Sequence, residues 1–164
     1  TGMMGVGKST IGKNLAKKLQ FNFVDIDKLI EKKEGLSINL IFKKKGEDYF
    51  RQIENDITLS ELKRKDLVIS LGGGAFVNKS IRKNAKKFSV SFWLDVPVEE
   101  LVKRLKKNSQ RPLLYKKNIN KTVKKIFFER KKIYSEADYR IRCNSLKSKD
   151  IVNQILSLYE KPRN

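Results

Sequence analysis

The residues with the clearest chemical meaning stand at the start of the chain. Residues 2–9 read Gly-Met-Met-Gly-Val-Gly-Lys-Ser, which fits the G-x-x-x-x-G-K-[ST] pattern of phosphate-binding loops. Glycines let main-chain amides turn inward around phosphate oxygens, and a helix that begins at Lys8 directs its positive dipole end at them. In such loops the lysine reaches the β- and γ-phosphates, and the hydroxyl of Ser9 is placed to ligate Mg²⁺. We therefore predict nucleotide binding by Gly5, Val6, Gly7, Lys8, Ser9 and Thr10.

Two carboxylates follow the next apolar stretch. Asp25 and Asp27 come directly after the predicted strand Phe21 to Val24, and ligands of open α/β sheets bind at the carboxyl ends of strands. If the chain stays extended there, residues i and i+2 point toward one site. A helix N-cap is the alternative interpretation, since aspartate favours that position, and it accounts for one of the two residues.

Arginine supplies only nine of the 38 cationic side chains, and its planar fork binds carboxylates and phosphates as lysine does not. Arg130 falls on the stripe of a long predicted helix that should face inward. The other members of that stripe are Val123, Ile126, Phe127 and Tyr134. A buried arginine needs an anionic partner, which is either a bound anion or a structural salt bridge. Arg51, taken alone, is better explained as a surface charge or as a partner of Glu54.

Three consecutive glycines, Gly72, Gly73 and Gly74, follow the buried strand predicted from Leu67 to Leu71. A tight turn is the ordinary explanation. Glycine loses much backbone entropy on folding, so a run of three favours close approach of the main chain to a ligand.

These residues lie at the junctions of helical and strand patterns that alternate along the chain, which predicts a parallel α/β sheet. The helix from Lys8 to about Leu19 carries its apolar residues on one face, which argues against a chance glycine-rich turn before it. Further strands are predicted at 90–94 and 139–143. Further helices are predicted over about 27–45 with a break near Gly35, and over 47–63, 78–86, 97–106, 121–137 and 149–159. Residues 107–120 lack apolar periodicity and predict a mobile loop.

Composition narrows the function further. The 164 residues suit a single domain, and no apolar run is long enough to span a membrane. The chain contains no histidine, which excludes Ser-His-Asp chemistry and leaves a carboxylate, a lysine or the substrate as general base. The single cysteine, Cys143, fits a reducing cytoplasm. We see no signal peptide, but the chain begins at Thr1 almost inside a motif, so we expect preceding residues to be missing.

The class of nucleotide-binding protein follows from what accompanies the loop. A GTPase would need Asn-Lys-x-Asp and Asp-x-x-Gly motifs, and neither occurs. The chain instead resembles the shikimate kinases, whose motifs appear here in order and at similar spacing over nearly the whole length. They are the loop with Lys8 and Ser9, Asp25-Ile26-Asp27, Phe50-Arg51-x-x-Glu54, Gly72-Gly73-Gly74, Arg111-Pro112-Leu113-Leu114 and Glu129-Arg130-x-x-x-Tyr134.

The resemblance implies an architecture. It is a three-layer α/β/α P-loop kinase fold with a five-stranded parallel sheet in the order 2-3-1-4-5, whose first strand is truncated here. A helical substrate-binding region is expected over 28–60 and a lid over 107–120.

On the nucleotide side, the resemblance implies that Lys8 and Arg111 are catalytic, with Arg111 reaching the phosphates from the lid. Arg104 is expected to stack on adenine, although an exposed helix charge explains it nearly as well. Ser9 and Asp25 are expected to hold Mg²⁺. Asp95, at the end of another predicted strand, is a weaker alternative metal ligand.

On the substrate side, the resemblance implies that Asp27 binds shikimate hydroxyls and is the candidate general base. Arg51 and Arg130 are expected to clamp the shikimate carboxylate. The glycines 72–74 are expected to pass between substrate and γ-phosphate, with Gly73 in direct contact.

The expected reaction is transfer of the ATP γ-phosphate to the 3-hydroxyl of shikimate, in aromatic amino-acid biosynthesis, by a cytoplasmic monomer. A related metabolite kinase such as gluconate kinase shares the loop and lid, but does not predict Arg51, the triple glycine and Arg130 together. A nucleic-acid-binding protein is suggested by the net charge of +20. Lysines spread over most helices, rather than forming one stripe, favour a solvated surface, so we expect neither nucleic acid nor membrane as partner.

Overall fold

A computed structural model describes residues 1–107, 118–144 and 146–161, in which helices and strands alternate. The helices are α1 (Lys8–Leu19), α2 (Ile26–Glu34), α3 (Ile38–Glu61), α4 (Lys79–Phe88), α5 (Val98–Lys107), α6 (Ile119–Tyr134) and α7 (Ser148–Tyr159). The strands are β1 (Asn22–Asp25), β2 (Leu67–Ser70), β3 (Phe92–Asp95) and β4 (Tyr139–Arg142), and a short 3₁₀ helix spans Ala75–Val77.

Polar side chains and glycines set the helix ends. Ser37 caps α3 by accepting from the amide of Leu40, and Asn118 caps α6 by accepting from the amide of Lys121. Gly35 ends α2 with a left-handed φ of 63°. Gly46 interrupts α3 with φ 86° and ψ 170°, so the predicted break between two helices is present although the chain continues as one element.

The strands pair in parallel, as predicted, but the described residues form two two-stranded sheets rather than one sheet of five. In the first, β1 runs beside β2 from the pair Asn22–Leu67 to the pair Asp25–Ser70. In the second, β3 runs beside β4 from Phe92–Tyr139 to Asp95–Arg142. The carboxyl end of β2 therefore lies beside Asp25, and the triple glycine continues from that end.

A cavity of about 520 Å³ separates the two sheets, between β2 and β3 and beneath α1. Thr1 lies at its edge and makes strand-like bonds to β3. Its amine donates to the carbonyl of Phe92 at 2.6 Å, and its carbonyl accepts from the amide of Leu94 at 3.0 Å. The chain thus passes from a strand-like residue directly into the phosphate loop.

The core lies between the strands and the helices that cover them. Its largest fully buried side chains include Trp93, Tyr134 and Phe76, and Cys143 is also buried. Not every aromatic residue belongs to the core, since Phe128 on α6 is 63% exposed and Phe88 and Tyr159 are exposed as well. In the part of the chain described, no helix combines the length and the apolarity needed to cross a membrane.

Two of the predicted boundaries were wrong because a hydrogen bond at the end of the element was not foreseen. Strand β3 begins at Phe92 rather than residue 90, because the amide of Ser91 donates to the Asp138 carboxylate at 2.7 Å. Helix α6 ends at Tyr134, because the amide of Ala137 returns to the Tyr134 carbonyl at 3.1 Å in a turn.

Candidate active site

The phosphate loop has the conformation that its glycines permit. Gly5 and Gly7 adopt left-handed φ values of 80° and 90°, which a residue with a side chain rarely takes. Gly7 is also the N-cap of α1 and offers no side-chain acceptor to the first turn of the helix, where a bound anion can take that place. The Lys8 ammonium lies over the loop and donates to the carbonyls of residues 2 and 3 at 3.0 and 2.9 Å.

Ser9 and Asp25, the two residues predicted to hold Mg²⁺, are in direct contact. The Ser9 hydroxyl donates to one carboxylate oxygen of Asp25. The other oxygen accepts from the amide of Lys28 at 3.3 Å, so Asp25 is also the N-cap of α2. The N-cap interpretation of Asp25 is therefore confirmed, and the same carboxylate also contacts Ser9 next to the phosphate loop, while its role in metal binding stays a prediction.

Asp27 reaches the site by a route that differs from the prediction. The chain does not stay extended, because α2 begins at Ile26 and places Asp27 in its first turn. Its carboxylate nevertheless lies against the glycine loop. The Asp27 Oδ1 atom is 2.6 Å from the position that a Cβ atom on Gly72 would occupy, and Glu54 Oε1 is 2.7 Å from the same point.

Each of the three glycines allows a different close approach. A Cβ atom on Gly73 would lie 3.1 Å from the amide nitrogen of Met4 in the phosphate loop, and one on Gly74 would lie 2.7 Å from Arg51 Nη1. Gly72 meets the carboxylates of Asp27 and Glu54. The glycines of this run are therefore needed for the close approach of other protein groups rather than for an unusual φ, and their predicted approach to a ligand stays a prediction.

Arg51 is fixed by two carboxylates of its own helix. Its Nη1 donates to Glu54 at 2.6 Å, and its Nε and Nη2 both donate to Glu47, at 3.2 and 3.0 Å. The predicted pair with Glu54 is present, but Arg51 is not only a surface charge, since it also lines the pocket described below. Burial disfavours its charge, yet the pairs with Glu54 and Glu47 outweigh this and raise the pKa of Arg51.

Glu54 is 2% exposed and is the buried anion of the site. Burial raises the pKa of Glu54, and the neighbouring charge of Asp27 acts in the same direction, whereas Arg51 and Arg130 oppose the shift. The sequence offered Glu54 only as a partner for Arg51. Its contact with Gly72 and its closeness to Asp27 connect residues far apart in the chain.

Arg130 projects from α6 to the glycine loop. Its Nη1 donates to the Gly73 carbonyl at 2.8 Å. Arg130, Arg51, Asp27 and Glu54 all line one pocket, together with Gly73 and Gly74 of the triple glycine. Sequence reasoning missed the apolar walls of this pocket, which are Met4, Ile38, Phe42 and Phe50. Phe50 belongs to the motif Phe50-Arg51-x-x-Glu54, and the centroid of its ring lies 4.8 Å from the ring centroid of Phe42.

The remaining predicted residues stand apart from this pocket or outside the described chain. Arg104 pairs with Glu100 at 3.0 Å, one turn away on α5, with both side chains partly exposed. Arg111 and most of the predicted lid lie outside the described residues. Asp95, the alternative metal ligand, accepts from Arg140 Nε and Nη2 at 2.8 and 2.5 Å and is thus engaged in an ion pair.

Comparison with known proteins places this geometry in a family. The model of the family described as shikimate kinase matches residues 4–160. The chain belongs to the shikimate kinase family. A shikimate kinase from Persephonella marina is 48% identical over 155 residues, which cover 94% of this chain and 93% of that protein. The structure of shikimate kinase from Acinetobacter baumannii in complex with shikimate has a TM-score of 0.92 and 35% identity, with 96% of this chain and 89% of that chain covered.

Membership of the shikimate kinase family confirms the predicted enzyme class, an ATP-dependent kinase of the shikimate pathway of aromatic amino-acid biosynthesis. A gluconokinase from Sinorhizobium meliloti has a TM-score of 0.57 and 14% identity. That likeness concerns the fold alone, so the alternative of a gluconate kinase is not supported.

Proposed function

We propose that this chain transfers the γ-phosphate of ATP to the 3-hydroxyl of shikimate, which it holds by the carboxylate between Arg51 and Arg130. The observation that carries the proposal is the convergence of Asp27, Arg51 and Arg130 on one pocket beside the phosphate loop. Shikimate is a ring with one carboxylate and several hydroxyls. Two guanidinium groups and one carboxylate are the complement of such a molecule.

Recognition of the carboxylate follows from how the two arginines are held. Glu54 and Glu47 fix the guanidinium of Arg51 within its helix, and the Gly73 carbonyl fixes Arg130 from the opposite side. Side chains held in place before binding lose little entropy when the ligand arrives. The paired acids take only some of the guanidinium N–H groups, since each arginine carries five.

Asp27 is placed to receive a substrate hydroxyl. Its carboxylate lies at Gly72, where the loop leads on to the contact of Gly73 with Met4 of the phosphate loop. A carboxylate there orients the hydroxyl and can accept its proton. In a loose phosphoryl-transfer transition state, positioning contributes more than proton removal.

On the nucleotide side, the amides of residues 5–10 would surround the phosphates, and Lys8 would leave the loop carbonyls for them. Ser9 and Asp25 fit Mg²⁺, because both offer oxygen ligands and already touch. When bound, the ion would neutralise part of the phosphate charge. Among the described residues no group of three or more acidic, His or Cys side chains could hold a metal. We propose that Arg104 stacks on adenine and that Arg111 contacts the phosphate that is transferred.

The finer architecture is also proposed. Thr1 pairs with β3, and the cavity between β2 and β3 has the position that a middle strand would take. If this truncated strand is counted as the first, β1 to β4 become the second to fifth strands. It would then join the two sheets in the predicted order 2-3-1-4-5. Region 28–60 would bind shikimate, and region 107–120 would close over ATP. The protein would act as a monomer in the cytoplasm. Its partners would be shikimate and ATP, without nucleic acid or membrane.

The test is an ADP-release assay with shikimate or gluconate as acceptor, on the wild type and on Arg130→Ala. We expect turnover with shikimate only, and a roughly 100-fold loss of kcat/KM for shikimate in the variant, since hydrogen bonds to charged groups contribute about 1.5–3 kcal/mol. Arg64→Ala is the matched control, because Arg64 pairs with Glu61 on the surface of another region. Turnover of gluconate instead of shikimate, or an unaffected Arg130→Ala enzyme, would contradict the proposal.

A further inference from the structure

Tyr134 is the last residue of the motif Glu129-Arg130-x-x-x-Tyr134. It lies on α6 four residues after Arg130, so the two side chains lie on one helix face, one turn apart. Both donate to the same atom, the carbonyl oxygen of Gly73: Arg130 through Nη1 at 2.8 Å and Tyr134 through its hydroxyl. A carbonyl oxygen has two lone pairs, so α6 occupies both of them.

Tyr134 is held in place by contacts on several sides. It is fully buried, and its ring stacks on that of Trp93 with centroids 6.1 Å apart. The guanidinium of Arg140 lies 4.9 Å from the Trp93 ring and is itself held by Asp95. The hydroxyl also lies 3.8 Å from the sulfur of Met3. Burial raises the pKa of Tyr134, so the phenol remains protonated and donates at neutral pH.

The Gly73 carbonyl is therefore located from both sides. On one side stands α6 with its two donors. On the other side the main chain of Met4 lies so close that a Cβ atom on Gly73 would be 3.1 Å from its nitrogen. A shift of this carbonyl must move either the glycine loop relative to the phosphate loop or the guanidinium of Arg130.

Building on the proposed function, we propose that Tyr134 is a positioning residue for phosphoryl transfer. Its hydroxyl fixes the Gly73 carbonyl, and that carbonyl aligns Arg130 with the shikimate carboxylate. Tyr134 itself does not touch the substrate. Without the hydroxyl, the Gly73 carbonyl keeps only the hydrogen bond from Arg130 on α6. The carbonyl can then shift, and the guanidinium of Arg130 shifts with it.

The experiment compares Tyr134→Phe with the wild type in steady-state kinetics with shikimate and ATP. Phenylalanine keeps the ring stacked on Trp93 and removes only the donor. We expect kcat/KM for shikimate to fall about tenfold, the order expected for one buried hydrogen bond that places a catalytic group. The KM for ATP should stay within about twofold, a selectivity that a general loss of packing would not give. Tyr139→Phe is the matched control, since it removes the same hydroxyl at the start of β4.

A double variant separates positioning from structural support. In an Arg130→Ala background the carboxylate contact is already lost, so adding Tyr134→Phe should cost less than about threefold. An equal or larger loss in that background would overturn the link through Arg130. If Tyr134→Phe does not fold, Arg140→Ala tests the same link by loosening the stack, and it must lower kcat/KM for shikimate at least twofold.

The outcomes distinguish this inference from the function beneath it. A wild type that does not phosphorylate shikimate refutes the proposed function itself. A wild type that does so, together with Tyr134→Phe enzyme of unchanged kcat/KM, refutes the role of Tyr134 alone.

Discussion

Replacing Gly74 with alanine should damage shikimate binding without damaging the nucleotide site. The backbone at Gly74 has φ −107° and ψ −16°, which alanine adopts without strain. The added methyl would meet the guanidinium of Arg51, with 2.7 Å to Nη1, 2.9 Å to Nη2 and 3.0 Å to Cζ. Ordinary contact begins at 3.4 Å, so Nη1 must retreat by about 0.7 Å from its present 2.7 Å.

The size of the effect follows from that displacement. A misplacement of about 1 Å in a positioned group costs up to about 100-fold in rate, and a weakened hydrogen bond to a charged group costs about 1.5–3 kcal/mol. We therefore expect kcat/KM for shikimate to fall roughly 10- to 100-fold in Gly74→Ala. The KM for ATP should change less than about twofold, because no atom of the phosphate loop is among the close contacts of the methyl.

The assay is steady-state ADP release with each substrate varied in turn, alongside thermal unfolding. Gly35→Ala is the control, because nothing lies within 4 Å of its added methyl but its φ of 63° is unfavourable for alanine. That variant should lose about 1 kcal/mol of stability and keep its shikimate kinetics. In an Arg51→Ala background, Gly74→Ala should cause little further loss. Unchanged shikimate kinetics in the single variant would refute the reasoning from contact distances.

Three further predictions concern metal, pH and thiol chemistry. Asp25→Asn should raise the Mg²⁺ concentration for half-maximal rate about tenfold, as loss of a metal-site partner does, and an unchanged Mg²⁺ titration would argue against the site with Ser9. Because the pKa of Glu54 is raised, the folded state binds this proton more tightly than the unfolded chain does. The free energy of unfolding of the wild type should therefore fall relative to that of Glu54→Gln as the pH rises from 4.5 through the folded pKa. Parallel pH profiles of the two proteins in chemical denaturation would count against this. Burial, aided by Asp95, raises the pKa of Cys143 to about 11, so a disulfide reagent at neutral pH should label it slowly in the native protein and quickly in urea; fast native labelling would contradict its burial.

Local chemistry allowed much of the fold to be predicted. Helix α1 has the predicted bounds because the glycine-rich loop ends just before Lys8 and the apolar stripe of the helix begins just after it. Gly46 was predicted as a break, and its φ of 86° is one that other residues avoid. The bounds that failed, such as the start of β3, depended on a side chain 47 residues away, the carboxylate of Asp138. No local pattern contains that information.

Part of the pocket lining was predicted from the sequence, but its apolar walls and its contacts were not. Arg51 and Arg130 line one pocket, whereas Arg104 pairs with Glu100 away from it. That the two arginines bind a carboxylate stays a prediction. The contact of Gly74 with Arg51, and the donation of Tyr134 to Gly73, join segments that only tertiary packing brings together. Asp27 shows the limit of local reasoning, since an extended chain was assumed where α2 had already begun.

In the proposed complex, two guanidinium groups hold the acid group of shikimate beside the phosphate loop. A crystal structure of the chain with shikimate and ADP would show whether they do. We predict the carboxylate oxygens within about 2.7–3.2 Å of nitrogen atoms of both Arg51 and Arg130, with the β-phosphate at the amides of residues 5–10. A carboxylate bound elsewhere, with Arg51 and Arg130 contacting only protein groups, would exclude this mode of binding.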